Sequence, residues 1–122
     1  MLVFVWLNGY VKRIVWIIFF CCIISVANAT EKEVVKKYCT GKIEYTLDDK
    51  TRVDCLTDKY AIEYDYAKKW AECIGQAQYY ALKTNKKPAC ALILRGEKDK
   101  KYLKRLKKIA KKKRIKVYII KE

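Results

Sequence analysis

The chain has 122 residues, of which 28 are Lys or Arg, 13 are Asp or Glu and none is His. That length limits it to one domain, and with no histidine and no Cys-x-x-Cys pair a structural zinc site is disfavoured. A formal net charge of +15 favours polyanionic partners, among them nucleic acid, anionic lipid and lipopolysaccharide; a lysine-rich surface that only keeps a small protein soluble is the plainer reading.

The first 29 residues differ from the rest. Lys12 and Arg13 precede an unbroken apolar run from Ile14 to Ile24, and Ala27-Asn28-Ala29 closes the segment. A positive n-region, a short apolar stretch and a small-x-small ending define an export signal, with cleavage expected after Ala29 and a periplasmic or secreted product. The run is shorter than the roughly 20 residues of a spanning helix. Left uncleaved, and lengthened by Leu2 to Trp6, residues 1–29 would instead anchor the chain in a membrane. Residues 30–122 form the single domain and keep a net charge of about +13, since only Lys12 and Arg13 of the basic residues precede them.

Glu31 to Cys39 places Val34, Val35 and Tyr38 at helical spacing. Gly41 ends that helix. Lys42 to Leu47 alternates apolar with polar, as does a half-buried strand, and Asp48-Asp49-Lys50 is a turn signal. Arg52 to Leu56 is a second strand, Thr57-Asp58-Lys59 a second turn, and Tyr60 to Tyr64 a third strand, which together make an antiparallel meander. Tyr66 to Leu82 is the longest helix, with Trp70, Cys73, Ile74, Ala77 and Ala81 as its apolar stripe. Asn85 to Pro88 breaks it. Ala89 to Leu94 suits a central strand buried on both faces. Lys98 to Lys113 is a basic helix with Leu103, Leu106, Ile109 and Ala110 turned inward, and Ile115 to Ile120 is the last strand, parallel to the one before it. The predicted fold is α/β, in the order α-β-β-β-α-β-α-β around a mixed sheet.

Four cysteines lie in the domain, Cys39, Cys55, Cys73 and Cys90. Oxidising surroundings would allow bridges, but four cysteines permit three full pairings, and buried free thiols are an equal alternative.

Asp54 and Glu63 sit on adjacent strands of the meander, joined by a short turn. Antiparallel partners lie about 5 Å apart, a separation at which two carboxylates suit Mg²⁺ or Mn²⁺ completed by water and phosphate. Both are embedded among apolar neighbours, where an unpaired acid is costly. On the long helix Lys69, Gln76 and Tyr80 recur at offsets that return to one strip. If that strip faces the carboxylates, Lys69 could stabilise a phosphorane or orient water; otherwise all three are ordinary surface residues.

These residues and their order resemble the PD-(D/E)XK nuclease superfamily. Asp54 matches its first motif acid, Glu63 its second, and Gln76-Ala77-Gln78-Tyr79-Tyr80 the Gln-x-x-x-Tyr of the branch that includes RecB and lambda exonuclease. Small, often exported bacterial members are similar over the whole block from Arg52 to Tyr80. The resemblance implies a restriction-endonuclease-like α-β-β-β-α-β core, here extended by a C-terminal α-β unit. It further implies a Mg²⁺- or Mn²⁺-dependent, sequence-nonspecific nuclease, with Asp54 and Glu63 on the metal and Gln76 and Tyr80 positioning substrate. Glu33, Glu31, Glu44 or Asp65 are candidates for a further ligand. Asp65 stands where the motif has lysine, so Lys69, or Lys68, is the expected replacement.

Lys98 to Lys116 holds 12 Lys or Arg and one acid, Asp99. On DNA its outer face, with Lys104, Lys107, Lys108 and Lys111, would supply phosphate contacts; the same face could rest on an anionic membrane or simply be solvated. Besides the nuclease, two alternatives stand: an inactive nuclease-fold protein that binds nucleic acid through this helix, and an envelope protein that binds anionic lipid.

Overall fold

The structure, a computed structural model, describes residues 28–122, so the export-signal or anchor expectation falls almost wholly outside it. The elements are α1 (Glu31–Tyr38), β1 (Lys42–Thr46), β2 (Arg52–Leu56), β3 (Tyr60–Tyr66), a 3₁₀ turn (Ala67–Lys69), α2 (Trp70–Thr84), β4 (Lys87–Leu94), a second 3₁₀ turn (Glu97–Asp99), α3 (Lys100–Lys113) and β5 (Lys116–Lys121). The class is α/β, with three helices on one five-stranded mixed sheet. No helix among the described residues is long and apolar enough to cross a membrane.

Strands lie in the sheet in chain order, β1-β2-β3-β4-β5. The first three are antiparallel, and β3, β4 and β5 are parallel. The expected meander and the parallel final unit are both present, and α2 makes a second parallel crossover. Two ends differ from expectation. β3 runs on to Tyr66, because its pairing with β4 persists as far as Tyr66↔Ile93. Pro88, read as a breaker, joins β4 opposite Ala61; at the start of a strand a missing N–H is tolerated.

One face of the sheet packs on α1, through Val34 and Val35 against Ile62, Tyr64, Ala91 and Ile93. The other packs on α2 and α3, with Cys73, Ala77, Leu106 and Ala110 against Cys90, Leu92 and Leu94. Thr30 opens α1 by a capping box with Glu33, which supplies acceptors for two otherwise orphaned N–H groups. Tyr38 was expected inside but is 45% exposed, since α1 ends there. Ile109, also expected inside, is 40% exposed; only Leu106 and Ala110 of α3 are buried, a narrower stripe than the spacing suggested.

A Cys39–Cys55 disulfide ties the end of α1 to β2 across 16 residues, while Cys73 and Cys90 are free and buried. Closing a loop of that length removes about 3 kcal/mol of unfolded-state entropy. Replacing both Cys39 and Cys55 by serine should therefore lower stability by about 3 kcal/mol in urea unfolding, and a change below about 1 kcal/mol would show the bridge to be incidental. Beside it, a Cβ on Gly41 would stand 2.1 Å from the Leu56 carbonyl oxygen. Only glycine lets the chain cross β2 so closely.

Candidate active site

Main-chain pairing between β2 and β3 covers Leu56↔Ala61 and Cys55↔Ile62 and goes no further. Beyond that point the gap is bridged by side chains. The Asp54 N–H donates to Glu63 Oε1 at 3.3 Å, and the Tyr64 N–H donates to Asp54 Oδ2 at 2.9 Å. The local backbone explains the parting. Val53 belongs with Ala61, Tyr80 and Ala81 on the α2 side, whereas Cys55 belongs with Val34 and Ile62 on the α1 side. Residues two apart on a regular strand share a face, so β2 twists sharply through Asp54. Between its paired neighbours on β1, Glu44 takes φ 49°, a conformation rare for a residue with a side chain.

The two carboxyls are strongly perturbed. Burial first, then the neighbouring Asp54, pushes Glu63 up to about 9. Burial also raises Asp54, opposed by the bond from the Tyr64 N–H. The charge of Asp54 beside it favours the protonated form of Glu63. Two residues along the same face of β3, Asp65 is buried and pushed up to about 7, by burial first and then by Glu31. Its Oδ2 has no hydrogen-bond partner among the described residues. Cys73 donates from Sγ to the Glu63 carbonyl at 3.5 Å, which pins α2 beneath the site.

Lys69 reaches this cluster. It ends the 3₁₀ turn, with Nζ 3.3 Å from Glu31 and 3.8 Å from Asp65. Those acids, Glu31 foremost, raise its pKa, so it stays a cation. Lys68, the other candidate, is exposed beside it. Of the acids proposed as further ligands, Glu31 and Asp65 lie in the cluster. Glu44 pairs with Lys32 at 3.6 Å and Arg52 at 3.9 Å. Glu33 accepts the Thr30 N–H at 2.7 Å in the cap of α1.

The helical strip divides. Gln76 is half-buried. Tyr80 is 7% exposed and packs with Val53 and Ala81, so part of what was read as a polar strip is core. Burial first, then the Glu63 charge, raises its hydroxyl pKa. Lys104, Lys107, Lys108 and Lys111 are all exposed on α3. Sequence reasoning missed the Cys73 contact. A cysteine in an apolar helical stripe gives no sign of which carbonyl it will meet.

Among the described residues no group of three or more His, Cys, Asp or Glu side chains is set to hold a metal ion. The Asp54–Glu63 pair nevertheless fits a hard cation in kind. Mg²⁺ is commonly held by one or two carboxylates and completes its shell with water and phosphate, and Asp65 Oδ2 offers an unengaged oxygen nearby. No protein-family model, curated protein or solved structure matches the chain.

Proposed function

We propose that the protein is a divalent-metal-dependent nuclease of the PD-(D/E)XK type that hydrolyses phosphodiester bonds without sequence preference, outside the cytoplasm. The observation that carries the proposal is the acid cluster at the parted strands: Asp54, Glu63 and Asp65, all raised by burial, with Lys69 as the cation against Asp65. Carboxylates gathered out of water cost free energy unless they do work that needs them. Asp54 and Glu63 would hold Mg²⁺ or Mn²⁺ in place of the proton that burial favours on Glu63. The ion would supply charge neutralisation at the phosphate and a more acidic water. Asp65, raised to about 7 by burial, would serve as the base for the attacking water, and Lys69 would stabilise charge developing on the phosphate oxygens. Gln76, half-buried on α2, would position substrate, Tyr80 would support the site from the core, and the lysines of α3 would attract the polyanion.

The element order α-β-β-β-α-β through β4 supports a restriction-endonuclease-like core, as does the Gln76 to Tyr80 match. Incubation of the protein with supercoiled plasmid or RNA, with Mg²⁺ or Mn²⁺ across pH 6 to 9, should give cleavage that EDTA stops. No cleavage of either substrate with either ion would sink catalysis.

A second reading has its own support. Asp54 and Glu63 each accept a hydrogen bond from a backbone N–H of the opposite strand, a closed arrangement that suits a structural pair. On that reading the protein binds nucleic acid without cutting it. Salt-sensitive binding that survives Asp54→Ala, without cleavage by the unsubstituted protein, would establish it.

A further inference from the structure

The sheet has a second feature, on the face opposite the acids. α1 spans eight residues and covers only part of that face. Next to it lies a groove of about 510 Å³ whose walls include Tyr38, Tyr60, Tyr64 and Tyr118. Tyr38 and Tyr118 are 45% and 37% exposed, and Tyr60 meets Tyr118 edge to face with centroids 6.5 Å apart. Three of these rings each have a lysine ammonium beside them: Lys37 5.1 Å from Tyr38, Lys59 5.5 Å from Tyr60, and Lys116 5.8 Å from Tyr118. A second hollow of about 450 Å³ shares Thr40 and Thr57 with the groove and adds Lys42 and Lys86. Its one acid is Asp58, whose carbonyl accepts a hydrogen bond from Lys86 at 2.7 Å.

We propose that this tyrosine groove is a binding site for single-stranded nucleic acid, with bases stacked on Tyr38 and Tyr118 and phosphates held by the flanking lysines. Exposed aromatic rings interleaved with cations on an open sheet face match the two repeating parts of a single strand, planar bases and regularly spaced phosphates. A duplex keeps its base faces stacked internally and offers the groove only phosphate. An acyl chain gains nothing from ammonium groups beside the rings, and two copies of a chain with a net charge near +13 in residues 30–122 repel one another. The groove is thus best complemented by an anionic, unstacked polymer. Because Glu63 and Tyr64 alternate across β3, the groove and the acid cluster lie on opposite faces, and binding does not depend on catalysis.

The test is binding by the whole chain in EDTA, followed by anisotropy of a labelled oligothymidylate, an abasic oligomer of equal charge, and a duplex. Base stacking contributes about 1–3 kcal/mol per base, so oligothymidylate should bind at least roughly tenfold more tightly than the abasic strand. Tyr38→Ala and Tyr118→Ala should each weaken oligothymidylate binding by roughly tenfold and leave the abasic strand unaffected. Tyr118→Phe should restore the affinity. Both residues are exposed, so unchanged melting temperatures will show that the variants fold. Equal affinity for the abasic and base-bearing strands, or indifference to both alanine changes, overturns the proposal. So does binding to phosphatidylglycerol vesicles that competes with no oligonucleotide, or a self-association that the substitutions abolish. Binding is read without divalent cations and so is independent of cleavage: oligothymidylate binding as expected, with no cleavage by the unsubstituted protein in separate incubations with Mg²⁺ or Mn²⁺, would remove the catalytic reading and leave this one standing.

Discussion

Without divalent cations, the protein will lose stability steadily from about pH 5 to pH 9, and Glu63→Gln will abolish most of that loss. Glu63 ordinarily titrates at 4.5 and is pushed up to about 9 in the fold, by burial first and then by Asp54. A carboxyl raised in this way holds its proton more tightly when folded. Its contribution is therefore whole below about 4.5, falls as pH rises, and is gone above the folded value. Each pH unit between removes at most about 1.4 kcal/mol per carboxyl, and less where water screens the site. Asp65, raised to about 7, adds to the slope in the lower half of the window. The parted strands admit water as the site ionises, so a total of about 3 kcal/mol is expected, or roughly 15 °C in melting temperature for a domain of this size. Glutamine imitates the protonated acid: its oxygen can accept the Asp54 N–H and its NH₂ can donate to Asp54. Melting curves across the window, with and without Glu63→Gln, measure the difference. Two parallel curves would mean that Glu63 titrates normally. Millimolar Mn²⁺ should restore stability above pH 7 in the unsubstituted protein and much less in Glu63→Gln, because an ion that binds only the native state stabilises it by mass action.

The largest effect on activity is expected at Asp54. Asp54→Asn keeps an acceptor for the Tyr64 N–H, and so the local fold, but removes half of the charge that would hold the ion. Cleavage should fall by about three orders of magnitude or more, in keeping with the loss of a metal ligand and of the acidified water it supplies. Lys69→Met should cost about a hundredfold, the typical effect of one charge-stabilising donor, with the loss mainly in kcat. Tyr80→Phe should stay within a few fold, because Tyr80 is buried support for the site. Single-turnover cleavage of a labelled strand separates these three. Equal losses for all of them would point to damaged folding in place of chemistry, and full activity of Asp54→Asn would remove the proposed site.

Most of the architecture was legible because period and punctuation agreed. The alternation in Lys42–Leu47, Arg52–Leu56 and Tyr60–Tyr64, the turns between them, and the apolar runs Ala89–Leu94 and Ile115–Ile120 place all five strands within two residues. Asp54 and Glu63 could be paired from hairpin geometry alone; Lys69, expected to face them, contacts Glu31 and Asp65. What stayed hidden depends on contacts distant in sequence. Tyr80 reads as the polar end of a motif, yet Val53 and Ala61 bury it. Tyr38 reads as the last apolar residue of α1, yet the disulfide from Cys39 to Cys55 turns the chain and leaves its ring beside an open groove. The sharp twist at Asp54 leaves no mark in the sequence, because Glu44 and Asp54 carry no glycine to announce it. Nor could spacing choose between bridges and thiols among four cysteines.

The strand order in the sheet bears on how the chain acquires its structure. Each strand pairs with its neighbours in sequence, and no late strand has to insert between two that have already joined. Contacts are then formed at short sequence separation, which lowers the entropic barrier that slows most mixed and parallel sheets. The β2–β3 hairpin, closed by Thr57 through its bonds to Tyr60, is the shortest loop in the sheet and the natural first event. β4 and then β5 can add to its open edge, each brought back by its own helix, so refolding should proceed as growth from a single nucleus, with folding rate most sensitive to changes in that hairpin and unfolding rate to changes in β5.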